Sequence, residues 1–116
     1  KSIFLPVSAP FHCALMKPAA EIMKEIILKS SLKKPIIPII SNVTANQISN
    51  EIEIKDLLIE QIFKRVRWRE VIQFMIDEKI EEIHEIGPGK SLSSMIKRFK
   101  SEIILKNFNS LEDFKI

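Results

Sequence analysis

Apolar residues fall at Ala19, Ile22, Met23, Ile26 and Ile27. The i, i+3, i+4, i+7, i+8 spacing predicts a helix with one buried stripe, starting near Leu15. Lys17, Glu21, Lys24, Glu25 and Lys29 fall largely outside that stripe. Pro18 suits a first turn, where its missing N–H has no partner to lose, and Ser30-Ser31 should end the helix. Upstream, Ser2 to Val7 reads as a short strand stopped by Pro6 and Pro10. Downstream, Ile36-Ile-Pro-Ile-Ile40 reads as a strand buried on both faces, although Pro38 argues against a fully hydrogen-bonded central position. Ser41 to Asn46 is expected to turn.

Ile54, Leu57, Leu58, Gln61 and Ile62 mark a second helix. Trp68, Val71, Ile72, Met75 and Ile76 mark a third, with a break near Arg65 to Arg67. Ile80 to Ile86 is a short strand ended by Gly87-Pro-Gly-Lys90. Leu92, Met95, Ile96 and Phe99 give a further amphipathic helix, and Glu102 to Leu105 a last strand. Ser110-Leu-Glu-Asp113 resembles a capping box at the start of a terminal helix. Strands alternating with helices predict an α/β fold with a mostly parallel, helix-covered sheet. No repeat or linker interrupts the order, so one domain, or one contiguous part of one, is expected.

Composition narrows the function classes. The chain has 116 residues, 46% of them hydrophobic, which is enough for a core. It opens on Lys1 rather than Met, and a cut-down chain is expected. No apolar run approaches the roughly 20 residues that span a bilayer. The net charge of +3 comes from 18 basic and 15 acidic residues, interspersed along helical faces. That is a solvated surface, without the aromatic and basic platform that nucleic-acid binding needs. Cys13 is the lone cysteine, so no internal disulfide and no cysteine-based zinc cluster can form. A reducing, cytoplasmic setting fits.

His12 is the chief candidate for chemistry. It stands where a proline-broken strand meets a helix, the kind of junction at which sites gather in open α/β sheets. Its ring can serve as a general base near neutral pH, or it can pack beside Phe11 and bond a carbonyl. A base needs a nucleophile. Gly87 and Gly89 are the only glycines, so no Gly-x-Ser-x-Gly elbow exists here. Ser8 is too close along an extended segment, and Cys13 reads as a small buried filler. The partner of His12 is therefore expected outside these residues. His12 and His84 with Glu81, Glu82 or Glu85 could supply metal ligands, but the two histidines are far apart in sequence and show no H-x-x-x-H spacing, so no metal is expected. Gly87 to Lys90 could cradle a phosphate at a helix N-terminus, yet lacks P-loop spacing, and a tight turn is the simpler reading. Arg65, Arg67 and Arg69 read as surface able to meet an acidic partner.

Four stretches in order, Pro6 to Ala20, Pro38 to Ala45, Val66 to Met75 and Glu85 to Arg98, resemble the C-terminal part of malonyl-CoA:acyl carrier protein transacylases. The resemblance implies a ping-pong transfer through a Ser–His dyad, with malonyl-CoA and acyl carrier protein as partners and no cofactor. It makes His12 the catalytic base and places the nucleophilic serine and the carboxylate-binding arginine in an N-terminal half of the same enzyme. It implies that a backbone carbonyl orients the ring, falling near Glu78, and that Phe11 crowds the substrate pocket and favours malonyl over methylmalonyl. It further implies an α/β-hydrolase-like large subdomain over residues 8–116. Residues 1–7 would be the last strand of a ferredoxin-like small subdomain, or the crossing back from it. Two alternatives stay open: an acyltransferase domain of a polyketide synthase, and a non-catalytic α/β binding module in which His12 is structural.

Overall fold

The computed structural model describes residues 9–99 and 102–114. The expected strand at Ser2 to Val7, and with it the assignment of residues 1–7, lies outside the described residues. The chain divides into two units, Lys1–Val71 and Ile72–Ile116.

In the first unit a 3-10 turn, Ala14–Met16, leads into helix α1, Lys17–Lys29, with Pro18 in its first turn. Ser30 ends α1 as expected, its N–H donating to the carbonyls of Ile26 and Ile27. Helix α1 packs on α2, Glu51–Phe63, and Ala20 is buried on it. Asn50 caps α2: its Oδ1 accepts from the N–H of Ile52 at 2.8 Å and of Glu53 at 3.3 Å. A cap of this kind stabilises a helix by about 1 kcal/mol. Lys55 on α2 donates to the carbonyls of Leu28 and Ser30 at 2.8 and 2.6 Å, so a cation meets the C-terminal end of α1.

Between the helices lies a hairpin, β1 (Ile39–Ile40) with β2 (Gln47–Ile48), antiparallel, with Ile39 opposite Ile48. Bonds from Ser41 N–H to Asn46 and from Ala45 N–H to Ser41 close the turn. Strand β2 was not expected, since two residues are too few for a period-2 signal. Ile48, Ile54 and Leu57 form the core of this unit, with Val43 packed against it.

Two expectations are corrected here. The Ile36–Ile40 run is a strand only over its last two residues, and Ile36 and Ile37 are exposed rather than buried. On α1, Ile22 and Ile26 face solvent. The α1 stripe is therefore wider than the face α2 covers, and among the described residues only part of it is buried.

Helix α3, Trp68–Asp77, follows the expected break. It ends in a Schellman motif: Ile80 N–H donates to Met75 and Lys79 N–H to Ile76. Lys79 takes the left-handed position with φ 56, where glycine is usual. In the second unit β3, Glu82–Ile86, pairs in parallel with β4, Ile104–Phe108, across helix α4, Ser91–Ile96. This β–α–β order agrees with the predicted α/β class. The last strand was expected at Glu102 to Leu105. Its observed register sets Glu82 opposite Ile104 and Glu85 opposite Asn107. The polar Lys106 and Asn107 stay in the strand because each finds a carboxylate: Lys106 bonds Glu82 and Asn107 bonds Glu85.

Glu85 organises this unit. Its carboxylate accepts from the N–H of Leu92 at 3.0 Å, the N–H of Ser93 at 2.8 Å, the Ser93 hydroxyl at 2.6 Å and the Asn107 amide at 3.0 Å. These donors, the Ser93 hydroxyl foremost, hold the Glu85 carboxyl below the ordinary glutamate range. Where a capping box and terminal helix were expected there is a 3-10 turn, Leu111–Phe114, with half of the box: Asp113 accepts from the N–H of Ser110 and of Asn109, while its own N–H donates to the Ser110 carbonyl instead of the hydroxyl.

Candidate active site

The segment before α1 is built from tight turns. Phe11 N–H donates to Ala9 at 2.9 Å, Met16 N–H to Cys13 at 3.0 Å, and the Cys13 thiol to the Pro10 carbonyl at 3.1 Å. Between them His12 has φ 58, a left-handed conformation uncommon for a residue with a Cβ, though histidine adopts it more often than most. Such conformations cost about 1–2 kcal/mol and gather where geometry serves a site.

From that turn the His12 Nδ1 reaches the backbone carbonyl of Gln61 at 2.7 Å. Gln61 lies in the last turn of α2. The final carbonyls of a helix have no intrahelical donor. Lys64 N–H still bonds Glu60, but the chain then leaves the helix, and the Gln61 oxygen is left for another donor. A carbonyl can only accept, so Nδ1 carries the proton and the neutral ring presents its lone pair at Nε2. Nε2 has no hydrogen-bond partner among the described residues, and His12 is exposed. Because Nδ1–H donates in both the neutral and the protonated ring, this bond survives a full cycle of proton uptake and release. The Lys17 ammonium sits 6.0 Å above the centre of the Phe63 ring, a second tie between the start of α1 and the end of α2.

The expectation that Glu78 supplies the orienting carbonyl is corrected: the carbonyl on the ring is that of Gln61. Glu78 closes α3, its N–H donating to Phe74. A backbone carbonyl carries no side-chain signature, so motif alignment gave no mark of Gln61. The usable signal was the end of the α2 periodicity, which falls at Gln61 and Ile62. Phe11, beside His12, is 59% exposed. Arg67 is engaged internally, donating to the Thr44 carbonyl at 2.9 Å and to Glu70 at 3.2 Å, while Arg65 reaches Glu70 at 3.4 Å. Arg69 remains exposed.

The phosphate-cradle reading of Gly87 to Lys90 fails for a physical reason. The N–H groups that an anion would need, those of Leu92 and Ser93, are already taken by the Glu85 carboxylate. His84 bonds Glu82, which also receives Lys106. Among the described residues no group of three or more His, Cys, Asp or Glu is placed to hold a metal ion. No helix among them is long and apolar enough to cross a membrane.

No protein-family model matches the chain. It is 45% identical over 98 residues to the malonyl CoA-acyl carrier protein transacylase of Bacillus subtilis, covering 84% of this chain and 31% of that protein. The crystal structure of an acyl-carrier-protein S-malonyltransferase from Bartonella henselae superposes with a TM-score of 0.88 at 39% identity, covering 97% of this chain and 36% of that one. A malonyl-transacylase solved in complex with a type II polyketide acyl-carrier protein superposes at 0.84 with 31% identity, covering 94% of this chain and 35% of that one. The chain thus spans about a third of the length of the relatives it matches. Along nearly its whole length, and at 31–45% identity, the chain is similar to about one third of malonyl CoA-acyl carrier protein transacylases.

Proposed function

We propose that this chain is the C-terminal third of a transacylase that moves malonyl groups from CoA to the phosphopantetheine thiol of acyl carrier protein, in fatty acid synthesis in the cytoplasm. The observation that carries the reading is the tie between His12 Nδ1 and the Gln61 carbonyl, which leaves Nε2 as an open base. The nucleophilic serine belongs to the N-terminal part of the same enzyme. In the first half-reaction Nε2 takes the serine proton as the oxygen attacks the thioester carbonyl. The tetrahedral adduct then collapses, and Nε2 returns the proton to the departing CoA thiolate. In the second half Nε2 deprotonates the carrier thiol, which attacks the malonyl-serine ester, and the proton goes back to the serine oxygen. The Gln61 carbonyl takes the orienting place that an aspartate fills in other triads. Phe11 crowds the α-carbon of the acyl group. No cofactor takes part.

The test is a chimera in which this chain replaces the matching stretch of the Bacillus subtilis relative. Malonyl transfer is expected from the chimera and lost in its His12→Ala variant. Undiminished transfer by that variant would overturn the dyad. The 116 residues alone are expected to show no turnover.

A further inference from the structure

Helices α1 and α2 pack together with little apolar material between them. Among the described residues Ala20 is the buried residue of α1. The 3-10 turn Ala14–Met16 also meets α2, and it has no buried residue. The buried side chains of α2, Ile54 and Leu57, cluster instead with Ile48 of the hairpin. Apolar contact is non-directional, and one methyl side chain cannot fix where a helix stands along its neighbour.

Directional bonds can. Lys55, half-buried in the second turn of α2, places its ammonium on the carbonyls of Leu28 and Ser30 at 2.8 and 2.6 Å. Those oxygens close α1, where a cation is favourable, and a charge-assisted bond is stronger than a neutral one. At the other end of the pair, His12 Nδ1 meets the Gln61 carbonyl at 2.7 Å. A helix advances about 1.5 Å per residue, so a slip of α1 on α2 by less than one residue carries the ring out of hydrogen-bond reach of Gln61.

We infer that Lys55 is a positioning residue for His12: by holding the last carbonyls of α1 it fixes the register of α1 on α2, and so keeps Nδ1–H on Gln61 and the lone pair at Nε2. The hydrogen bonds of Lys55 go to Leu28 and Ser30, not to the ring, so it acts through the helix pair. Without the tie the ring samples both N–H forms, and only one of them presents a base at Nε2. The inference rests on the proposed function for the role of His12 and adds a distant side chain that sets its tautomer.

The test uses the enzyme containing this chain, with isotope-labelled nitrogen in its histidines, so that magnetic resonance reads the His12 tautomer directly. Lys55→Met keeps the aliphatic stem and removes the donors, whereas Lys55→Arg keeps the cation and its donors. The parent is expected to show the Nδ1–H form, and Lys55→Met a mixture of the two. A displacement of about 1 Å can cost up to about 10²-fold, so Lys55→Met should lower kcat for malonyl transfer about tenfold and leave KM for malonyl-CoA within about twofold. Lys55→Arg should restore both the spectrum and kcat. Asn50→Ala loosens the start of α2 without touching α1 and should leave the His12 spectrum as it was. An unchanged spectrum in Lys55→Met, a mixture that Lys55→Arg does not reverse, or an equal mixture in Asn50→Ala would each overturn the inference. A mixed spectrum with kcat undiminished would leave the positioning of the ring standing and remove the proposed function.

Discussion

His12 and Gln61 stand 49 residues apart in sequence, yet the ring nitrogen of one and the carbonyl of the other are 2.7 Å apart. The contact uses a backbone atom, so the two residues should respond differently to substitution. In the enzyme containing this chain, Gln61→Ala keeps the carbonyl and should hold kcat within about threefold. His12→Ala removes the base and should cost roughly 10²–10⁴-fold. Steady-state malonyl transfer checks both, and a large loss in Gln61→Ala would show that the side chain matters.

Phe11 gives a specificity prediction. If Phe11 crowds the acyl α-carbon as proposed, then in the enzyme containing this chain Phe11→Ala should raise the ratio of kcat/KM for methylmalonyl-CoA over malonyl-CoA about tenfold, the scale of one added carbon in an apolar pocket. Competition between the two thioesters reads this ratio directly.

The Glu85 network sets a pH dependence. Glu85 is held below its ordinary value by hydrogen bonds, and Glu82, Glu70 and Asp113 by hydrogen bonds with neighbouring cations adding to them. A depressed carboxylate binds fewer protons in the folded state than in the unfolded one, so stability rises with pH through that window. The contribution is fully present above the ordinary value, 4.5 for the glutamates and 3.8 for Asp113, and is lost as pH falls through the lowered folded values. Urea unfolding between pH 3 and 6, a range of about that width, should show the slope, and Glu85→Gln should flatten it. Ser93, buried at 3% exposure, links Glu85 to Asn107. Ser93→Ala should cost about 1–3 kcal/mol.

Lys79 offers the opposite sign. It holds a left-handed position at the end of α3, where a Cβ is a liability. Lys79→Gly should stabilise the chain by about 1 kcal/mol, read as a raised midpoint in thermal unfolding. An unchanged or lowered midpoint would count against the strain at this residue.

The helices were legible because their apolar spacing is long enough to carry a period: α2 ends where Gln61 and Ile62 end the pattern, and Pro18 and Ser30 bracket α1. The hairpin partner Gln47–Ile48 was not, since two residues hold no period. Ile36 and Ile37 read as buried because residue type was the only guide there, and among the described residues both are exposed. His12 stood out in the sequence from its junction and its motif, and the structure adds the Gln61 carbonyl on its Nδ1. Gln61 was missed because a carbonyl is common to every residue, and only the fold decides which one is left unpaired. Glu85 read only as a possible metal ligand, and its role depends on β4 bringing Asn107 alongside.

Lys55 fastens the start of α2 to the end of α1, while His12 and Lys17 fasten the start of α1 to the end of α2. The paired helices are thus tied at both tips, and the state of the imidazole is coupled to their cohesion. When the last turn of α2 frays, water competes for the Gln61 oxygen and the ring is free to exchange its two tautomers. Local opening of this kind needs far less free energy than global unfolding. If His12 is the base of the larger enzyme, as proposed, mild heat or low urea should cut malonyl transfer by that enzyme before its helical signal is lost.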